Sequence, residues 1–241
     1  MTMFDRLLRA FGKEGGNQES TEAVQPQASF DANNPVVAWA ASQGYAVTDQ
    51  TAAGGFSLTG QTGQTGQKHW VFKRGPSSRD FIEGDELYAR AELGVMGDAA
   101  VVIMSRPLKI ELEKQAYAIY TDSLQTTVNT SLPEEMRWLA MYEEVVWEGL
   151  ALEFLERYVV LADEVDHAGA WITAALVESL MQWPAAATAA RAPFMVMTLR
   201  GNVYLRMEYT PPDLPTLQHA VAVLQHACES ALSNLASGAS A

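Results

Sequence analysis

Glu164 and His167 come closest, by residue type and spacing, to a metal-binding pair. They lie three residues apart in a predicted helix, a spacing at which both can bind one ion in a helical bundle. A di-metal site needs a second such pair, and the chain contains no second Glu-x-x-His. Because acids at a helix start interact favourably with the helix dipole, we interpret Asp163, Glu164 and Asp166 as the cap and first turn of a helix. We therefore predict neither a metal site nor a cofactor.

Cys228 is the single cysteine, so the chain forms no intramolecular disulfide. It lies in the apolar stripe of the last predicted helix, where it is interpreted as a small buried hydrophobe. His226 is two residues away, and side chains at that spacing on a helix point in different directions. His219 and His226 are seven residues apart, about 10 Å along the axis, too far to share one ion. We predict no catalytic residue.

A turn between two predicted strands holds the one local basic cluster of an acidic chain. Its members are Arg74, Ser77, Ser78 and Arg79. Two guanidinium groups and two hydroxyls in one loop are suited to a phosphate, a carboxylate or an acidic partner segment. The alternative is a solvated loop without a ligand, which is the commoner case. These four residues are our candidate ligand- or partner-binding residues.

Acidic residues are concentrated in one stretch of the C-terminal half. The stretch contains Arg157 as its one base and eight acids, namely Glu143, Glu144, Glu148, Glu153, Glu156, Asp163, Glu164 and Asp166. One interpretation is a solvated face that accounts for much of the net charge. The other is a surface that attracts a basic partner and speeds association.

The overall charge and hydropathy exclude several classes of protein. The formal net charge is -13, which argues against sequence-independent nucleic-acid binding through lysine and arginine. No run approaches the ~20 apolar residues of a membrane span, and the N-terminus lacks a secretory signal. With 48% hydrophobic residues the chain can bury a substantial core. We expect a cytoplasmic protein.

The first 13 residues predict a short amphipathic helix. Phe4, Leu7, Leu8 and Phe11 recur at three- and four-residue spacing and share one face, while Arg6, Arg9 and Lys13 lie on the other side. This helix either docks on its own domain or a second subunit, or makes a peripheral membrane contact. Residues 14–34 are polar and small and predict a flexible linker, so the helix is tethered.

The remaining pattern predicts an α+β fold in which antiparallel sheets pack on helices. Strands are predicted around Phe56 and Leu58 and over His69–Arg74, Glu86–Leu93, Ala100–Met104, Met141–Trp147, Arg157–Ala162, Phe194–Leu199 and Val203–Tyr209. Helices are predicted from Pro35 to Gly44, from Pro107 to Tyr120, over Asp163–Met181 and from Pro215 to Leu235. We divide the chain into two similar-sized halves, 35–135 and 136–236.

Residues 142–235 resemble a bacterial family of uncharacterised domains that are often carried by membrane-anchored proteins. The resemblance rests on LEFLERYVVLADEVDHAGAWITAALVESLM and on PFMVMTLRGNVYLRMEY. The family has the same order of aromatic strand, acidic turn, two helices and a hairpin with Gly-Asn at its tip. The resemblance implies a shape and a membrane-proximal role for the N-terminal helix, and it implies no activity.

The sequence as a whole favours a non-enzymatic interaction or accessory protein, recruited to a protein partner or a membrane by its N-terminal helix. Self-association through that helix is a further expectation. The alternative is a small-ligand-binding protein or enzyme that uses a cleft between the two halves. Arg74, Arg79 or His167 would line such a cleft.

Overall fold

The computed structural model describes residues 34–49, 55–62, 68–95, 98–125, 134–184 and 193–235. Within them the chain has an α+β fold, as predicted. The helices are α1 (Pro35–Ser42), α2 (Arg106–Gln125), α3 (Glu134–Met141), α4 (Leu152–Arg157), α5 (Val165–Trp171), α6 (Ala174–Met181) and α7 (Leu214–Ser230), which a π-helical turn, Ala231–Leu235, extends. The strands are β1 (Ala46–Asp49), β2 (Phe56–Thr62), β3 (Lys68–Pro76), β4 (Asp85–Glu92), β5 (Ala100–Ser105), β6 (Glu143–Glu144), β7 (Tyr158–Ala162), β8 (Phe194–Leu199) and β9 (Asn202–Glu208).

All nine strands form one antiparallel sheet in the order β1-β2-β3-β4-β9-β8-β5-β7-β6. Strands from 35–135 and 136–236 are therefore mixed in a single sheet. β4 and β9 pair over seven residues, from Glu86 with Glu208 to Glu92 with Asn202. β5 lies between β8 and β7, and all six of its residues are buried. Its apolar sequence AVVIMS explains this placement, because a strand that is apolar on both sides is stable only where both faces are covered.

One face of the sheet carries the larger core. Alternate residues of the strands point to it, and five helices, α1, α4, α5, α6 and α7, supply its other side. Its bulkiest fully buried side chains include Trp70 and Phe72 from β3 and Trp171 from α5. The Trp171 indole nitrogen donates a hydrogen bond to the Ala227 carbonyl at 2.9 Å, which satisfies the polar atom of a fully buried ring.

Among the described residues, helices cover only part of the width of the opposite face. Val102 and Met104 of β5, together with residues of β7 and β8, pack there against α2 and α3. On β4 and β9 the same face carries half-buried polar and aromatic side chains. Arg206 lies over the ring of Tyr88 at 5.2 Å. This half of the face has the mixed character of an antiparallel sheet that meets solvent.

Two predicted elements differ from those in the structure. The predicted strand Met141–Trp147 is wrong over most of its length, because α3 continues to Met141 and only β6 is extended. The helix places Trp138 in the core that α2 and α3 form against the sheet, where it is 4% exposed, and residues 145–147 are neither helix nor strand. The single helix predicted over Asp163–Met181 is two helices, because the Thr173 hydroxyl accepts a hydrogen bond from Leu176 N at 3.4 Å and starts α6.

Side-chain caps start α1 and α7. The Asn34 side chain accepts a hydrogen bond from Val36 N at 2.9 Å, and Pro35 is the first residue of α1. Asp213 caps α7 in the same way through Thr216 N at 2.8 Å. Of the helices in the described ranges, none combines the length and the apolar character needed to cross a membrane. The predicted N-terminal helix and residues 14–33 of the predicted linker lie outside the described residues.

Candidate functional site

The sheet edge formed by β6 and β7 presents a surface that is both acidic and apolar. Glu143 pairs with Ala162 and Glu144 with Leu161, so the chain runs antiparallel along β7 at the outermost position of the sheet. The backbone contact continues with Val145 N, which donates to the Val160 carbonyl at 2.9 Å. α4 and α5 directly precede and follow β7. We call the surface formed by residues 143–157 and 163–166 the acidic edge.

Three large apolar side chains of the acidic edge are exposed to solvent. Val146 is 57% exposed, Leu152 is 75% exposed and Val165 is 46% exposed. Neighbouring apolar residues such as Val145 and Phe154 are buried, so the sequence pattern alone does not separate the two groups. Exposed apolar side chains bordered by charged residues mark candidate protein interaction sites.

Most carboxylates of the acidic edge have no ionic partner. Glu144 lies 3.1 Å from the Lys109 ammonium, and Asp163 lies 3.0 Å from His167 Nδ1. Among the residues that the structure describes, six exposed carboxylates form no ion pair, namely Glu143, Glu148, Glu153, Glu156, Glu164 and Asp166. The one base, Arg157, donates to the Met181 carbonyl at 3.3 Å. The surface therefore carries an uncompensated negative charge.

Buried contacts hold the backbone beneath the acidic edge. The Arg106 guanidinium donates from Nε and Nη2 to the Leu155 carbonyl at 2.9 and 2.6 Å, which ties α4 to the start of α2. The Tyr158 hydroxyl donates to the Leu180 carbonyl at 2.7 Å and accepts from Trp183 Nε1 at 3.0 Å. Burial raises the pKa of Tyr158 to about 12. The exposed side chains thus project from a well-packed part of the sheet.

Asp163 connects the acidic edge to β5. Its carboxylate accepts hydrogen bonds from Ala100 N at 3.2 Å and from Glu164 N at 2.9 Å, and it also contacts His167. We predicted Asp163 as the helix cap, but Glu164 occupies the cap position of α5, and its side chain makes no capping hydrogen bond. Within the described part of the chain, no three His, Cys, Asp or Glu residues come together as a metal site would require.

The predicted basic loop is divided between two faces of the sheet. Arg74 donates to Asp85 Oδ2 at 3.0 and 2.7 Å and lies over the Tyr209 ring at 5.8 Å, on the side of α7. Ser78 is exposed. Arg79 contacts Glu135 of α3, on the other side of the sheet. Since each arginine has its own carboxylate, an anion at this loop would compete with an ion pair, and the proposed binding role of the loop stays a prediction.

A buried charge cluster that the sequence did not reveal surrounds Glu135. Its Oε1 atom lies 3.1 Å from Arg79 Nε, without the alignment of a hydrogen bond, and 3.7 Å from Arg206 Nη1. Arg206 also lies 3.8 Å from Glu86, whose carboxylate accepts a 2.7 Å hydrogen bond from the Ser77 hydroxyl. The local sequence around Glu135 contains no sign of the two arginines, which come from the 77–84 loop and from β9. The cluster joins the 77–84 loop, α3 and β9.

The histidines and the cysteine of α7 are partly or fully buried within the fold. His219 Nε2 lies 2.7 Å from the Ser179 carbonyl, and burial lowers the pKa of this imidazole. Cys228 is fully buried, as predicted, and burial raises the pKa of its thiol. His226 Nδ1 is buried and has no hydrogen-bond partner among the described residues. None of these groups lies on the acidic edge.

The exposed side chains of the acidic edge are mostly carboxylates and hydrocarbons, a combination that fits a basic segment with an apolar face. Val146, Leu152 and Val165 are absent from our predicted site residues, because apolar side chains are expected to be buried. For Val146 and Leu152, the acids that interrupt the apolar stretch VVWEGLALE were the available signal. The candidate helix residues Phe4, Leu7, Leu8 and Phe11 lie outside the described residues.

No protein-family model, curated protein or solved structure matches the chain. The resemblance of residues 142–235 to a family of membrane-associated domains therefore stays a prediction.

Proposed function

We propose that the protein is a non-enzymatic binding protein whose acidic edge recognises a basic, amphipathic segment of a protein partner. One observation carries the proposal: Val146, Leu152 and Val165 are exposed in a surface with six carboxylates that form no ion pair with any residue the structure describes. Apolar contact supplies affinity once water is excluded, at roughly 25 cal/mol per Å² of buried apolar surface. The carboxylates select basic partners and speed their association.

An amphipathic helical peptide of leucine and lysine, about 13 residues and therefore ~20 Å long, is a suitable probe. Its affinity for the full chain is measured by fluorescence anisotropy. The same peptide with glutamate in place of each lysine serves as the negative probe. We expect binding of the basic peptide alone. The affinity should fall several-fold between about 50 mM and about 500 mM salt, because exposed charges are screened over a Debye length.

The triple variant Leu152→Ser, Glu148→Gln and Glu153→Gln should lose at least about tenfold in affinity, which is about 1.4 kcal/mol. Ile110→Ser with Glu113→Gln is the matched control, since it removes an exposed apolar residue and an exposed acid from α2. Equal losses in both variants, or equal binding of the acidic peptide, would refute the proposal.

Recruitment to a membrane by the N-terminal helix is a separate proposal. It is supported by the sequence pattern of Met1–Lys13. Flotation with anionic vesicles, for the full chain and for Leu7→Asp with Leu8→Asp, tests it. Equal flotation of the two chains would contradict recruitment through this helix.

A further inference from the structure

We infer that Met1–Lys13 of the chain binds the acidic edge of its own molecule and competes there with the external partner. The inference rests on the proposed function, because it gives the same surface an internal occupant. It makes the chain self-inhibited: the surface is covered until a stronger basic segment displaces the internal one.

The chemistry of the segment complements that of the surface. Its apolar residues Phe4, Leu7, Leu8 and Phe11 could make apolar contacts with the exposed side chains Val146, Leu152 and Val165. Its bases, Arg6, Arg9 and Lys13, correspond to the six carboxylates without ionic partners. α2 also combines three bases, Arg106, Lys109 and Lys114, with an apolar face, but its Leu108 and Leu112 are already buried against the sheet.

The lengths also agree. β7, which lies next to the outermost strand of the acidic edge, has five residues and is about 17 Å long at ~3.3 Å per residue. A 13-residue helix is about 20 Å long at 1.5 Å per residue. A segment of this length can therefore extend along the whole of β7.

The intervening chain is long enough to allow this contact. α1 begins at Pro35 and its helix contacts β1, at the opposite edge of the nine-stranded sheet. Eight strand spacings of ~4.8 Å give about 38 Å between the edges. Residues 14–33 span up to about 66 Å when extended and about 25 Å as a random coil.

Tethering makes even a weak contact sufficient. A linker of this kind gives an effective concentration of the order of 1 mM. If the segment binds with a dissociation constant of about 0.1 mM, the bound state would then be about ten times as populated as the free state. Its removal should raise the affinity for an external peptide about tenfold.

Paramagnetic relaxation in the full chain tests the contact directly. A nitroxide is attached to Gly12→Cys, which keeps the three bases, while the native Cys228 stays unlabelled because it is fully buried. We expect broadening of amide signals in 143–157 and 163–166 and none along α2. Leu7→Asp with Leu8→Asp in the labelled chain should abolish the broadening.

Absence of broadening at the acidic edge, broadening centred elsewhere, or broadening that persists in the Leu7→Asp, Leu8→Asp chain would each overturn the inference. A mixture of nitroxide-labelled chain without isotope and isotope-labelled chain without nitroxide reports contacts between molecules. Broadening confined to that mixture would identify a second copy as the host and overturn the intramolecular contact.

The leucine–lysine peptide separates this inference from the proposed function. The Leu7→Asp, Leu8→Asp chain should bind the peptide about tenfold more tightly than the unaltered chain. Equal, measurable affinities would overturn self-inhibition and leave the proposed function intact. Failure of both chains to bind would overturn the proposed function as well.

Discussion

Glu135 holds a charge in a position that water hardly reaches. Its side chain is 2% exposed, and its charge is compensated by Arg79 and Arg206. Because breaking a buried ion pair leaves unpaired charges behind, we expect Glu135→Gln to lower the free energy of unfolding by about 3 kcal/mol or more. Urea denaturation followed by far-UV circular dichroism measures the loss.

Glu92→Gln is the control for this substitution. Glu92 forms an ion pair with Arg90 at 2.9 Å, but its side chain is 68% exposed. Exposed pairs contribute about 0–1 kcal/mol, so the control should change stability very little. Similar losses for both variants would show that the buried cluster does not stabilise the fold.

The raised pKa of Tyr158 predicts how the free energy of unfolding changes at alkaline pH. Its pKa in the fold is about 12 because burial disfavours the phenolate, whereas the unfolded value is about 10. Since the folded pKa is the higher one, the stabilising contribution is complete below about pH 10 and is lost as the pH rises toward about 12. The loss amounts to up to ~3 kcal/mol.

Tyr158→Phe should therefore flatten the fall in stability above about pH 10, relative to the unaltered chain. It should also lower stability below that pH by about 1–3 kcal/mol, since it leaves the Leu180 carbonyl and the Trp183 indole without their partner. Urea midpoints between about pH 8 and about pH 11 give both quantities. Parallel curves for the two proteins would contradict the assignment.

The hairpin between β8 and β9 depends on one glycine. Gly201 has φ of +71°, and a Cβ there would lie 2.2 Å from the Val95 carbonyl oxygen. Both the backbone angle and the contact oppose a side chain, so Gly201→Ala should cost at least about 2 kcal/mol. The control is Gly169→Ala in α5, where the added Cβ meets nothing within 4 Å.

Gly169→Ala should be neutral or stabilise by up to about 1 kcal/mol, because alanine has the higher helix propensity. Thermal unfolding of both variants compares the two sites. A Gly201→Ala protein as stable as the control would mean that the close approach of residues 95 and 201 is absent.

Elements governed by local pattern could be predicted from the sequence. β3 and β4 follow the alternation of apolar and polar residues, and α1 follows the Asn34-Pro35 start signal. The strand predicted at Met141–Trp147 was wrong over most of its length, because a short apolar run does not by itself determine the secondary structure. Met141 ends α3, Glu143 and Glu144 form β6, and residues 145–147 are neither helix nor strand.

Only part of the candidate site could be predicted from the sequence, for a related reason. The density of acids in 143–166 is a property of the sequence, and it was recognised. The exposure of Leu152 and Val165 depends on which side of each short helix meets the sheet. The partner of Glu135 likewise comes from β9, about 70 residues away, and no local pattern contains it.

At the scale of the whole molecule, the sheet joins the two predicted halves through hydrogen bonds. β5 of the N-terminal half pairs with β7 and β8, and β4 pairs with β9. If 35–135 were separated from 136–236, the strands would lose those ladders and expose unpaired edges. We therefore expect one cooperative unfolding transition, with coincident urea curves for tryptophan fluorescence and far-UV circular dichroism.

The isolated halves give the stricter test of this coupling. Separately expressed chains 35–135 and 136–236 should each lack cooperative unfolding, because β5 would have no neighbouring strand on either side in the first and would leave a gap between β7 and β8 in the second. Mixing them should restore a folded complex, since the missing ladders are then available. Two separate transitions in the full chain, or a half that unfolds cooperatively alone, would instead establish two domains that share a sheet without depending on each other.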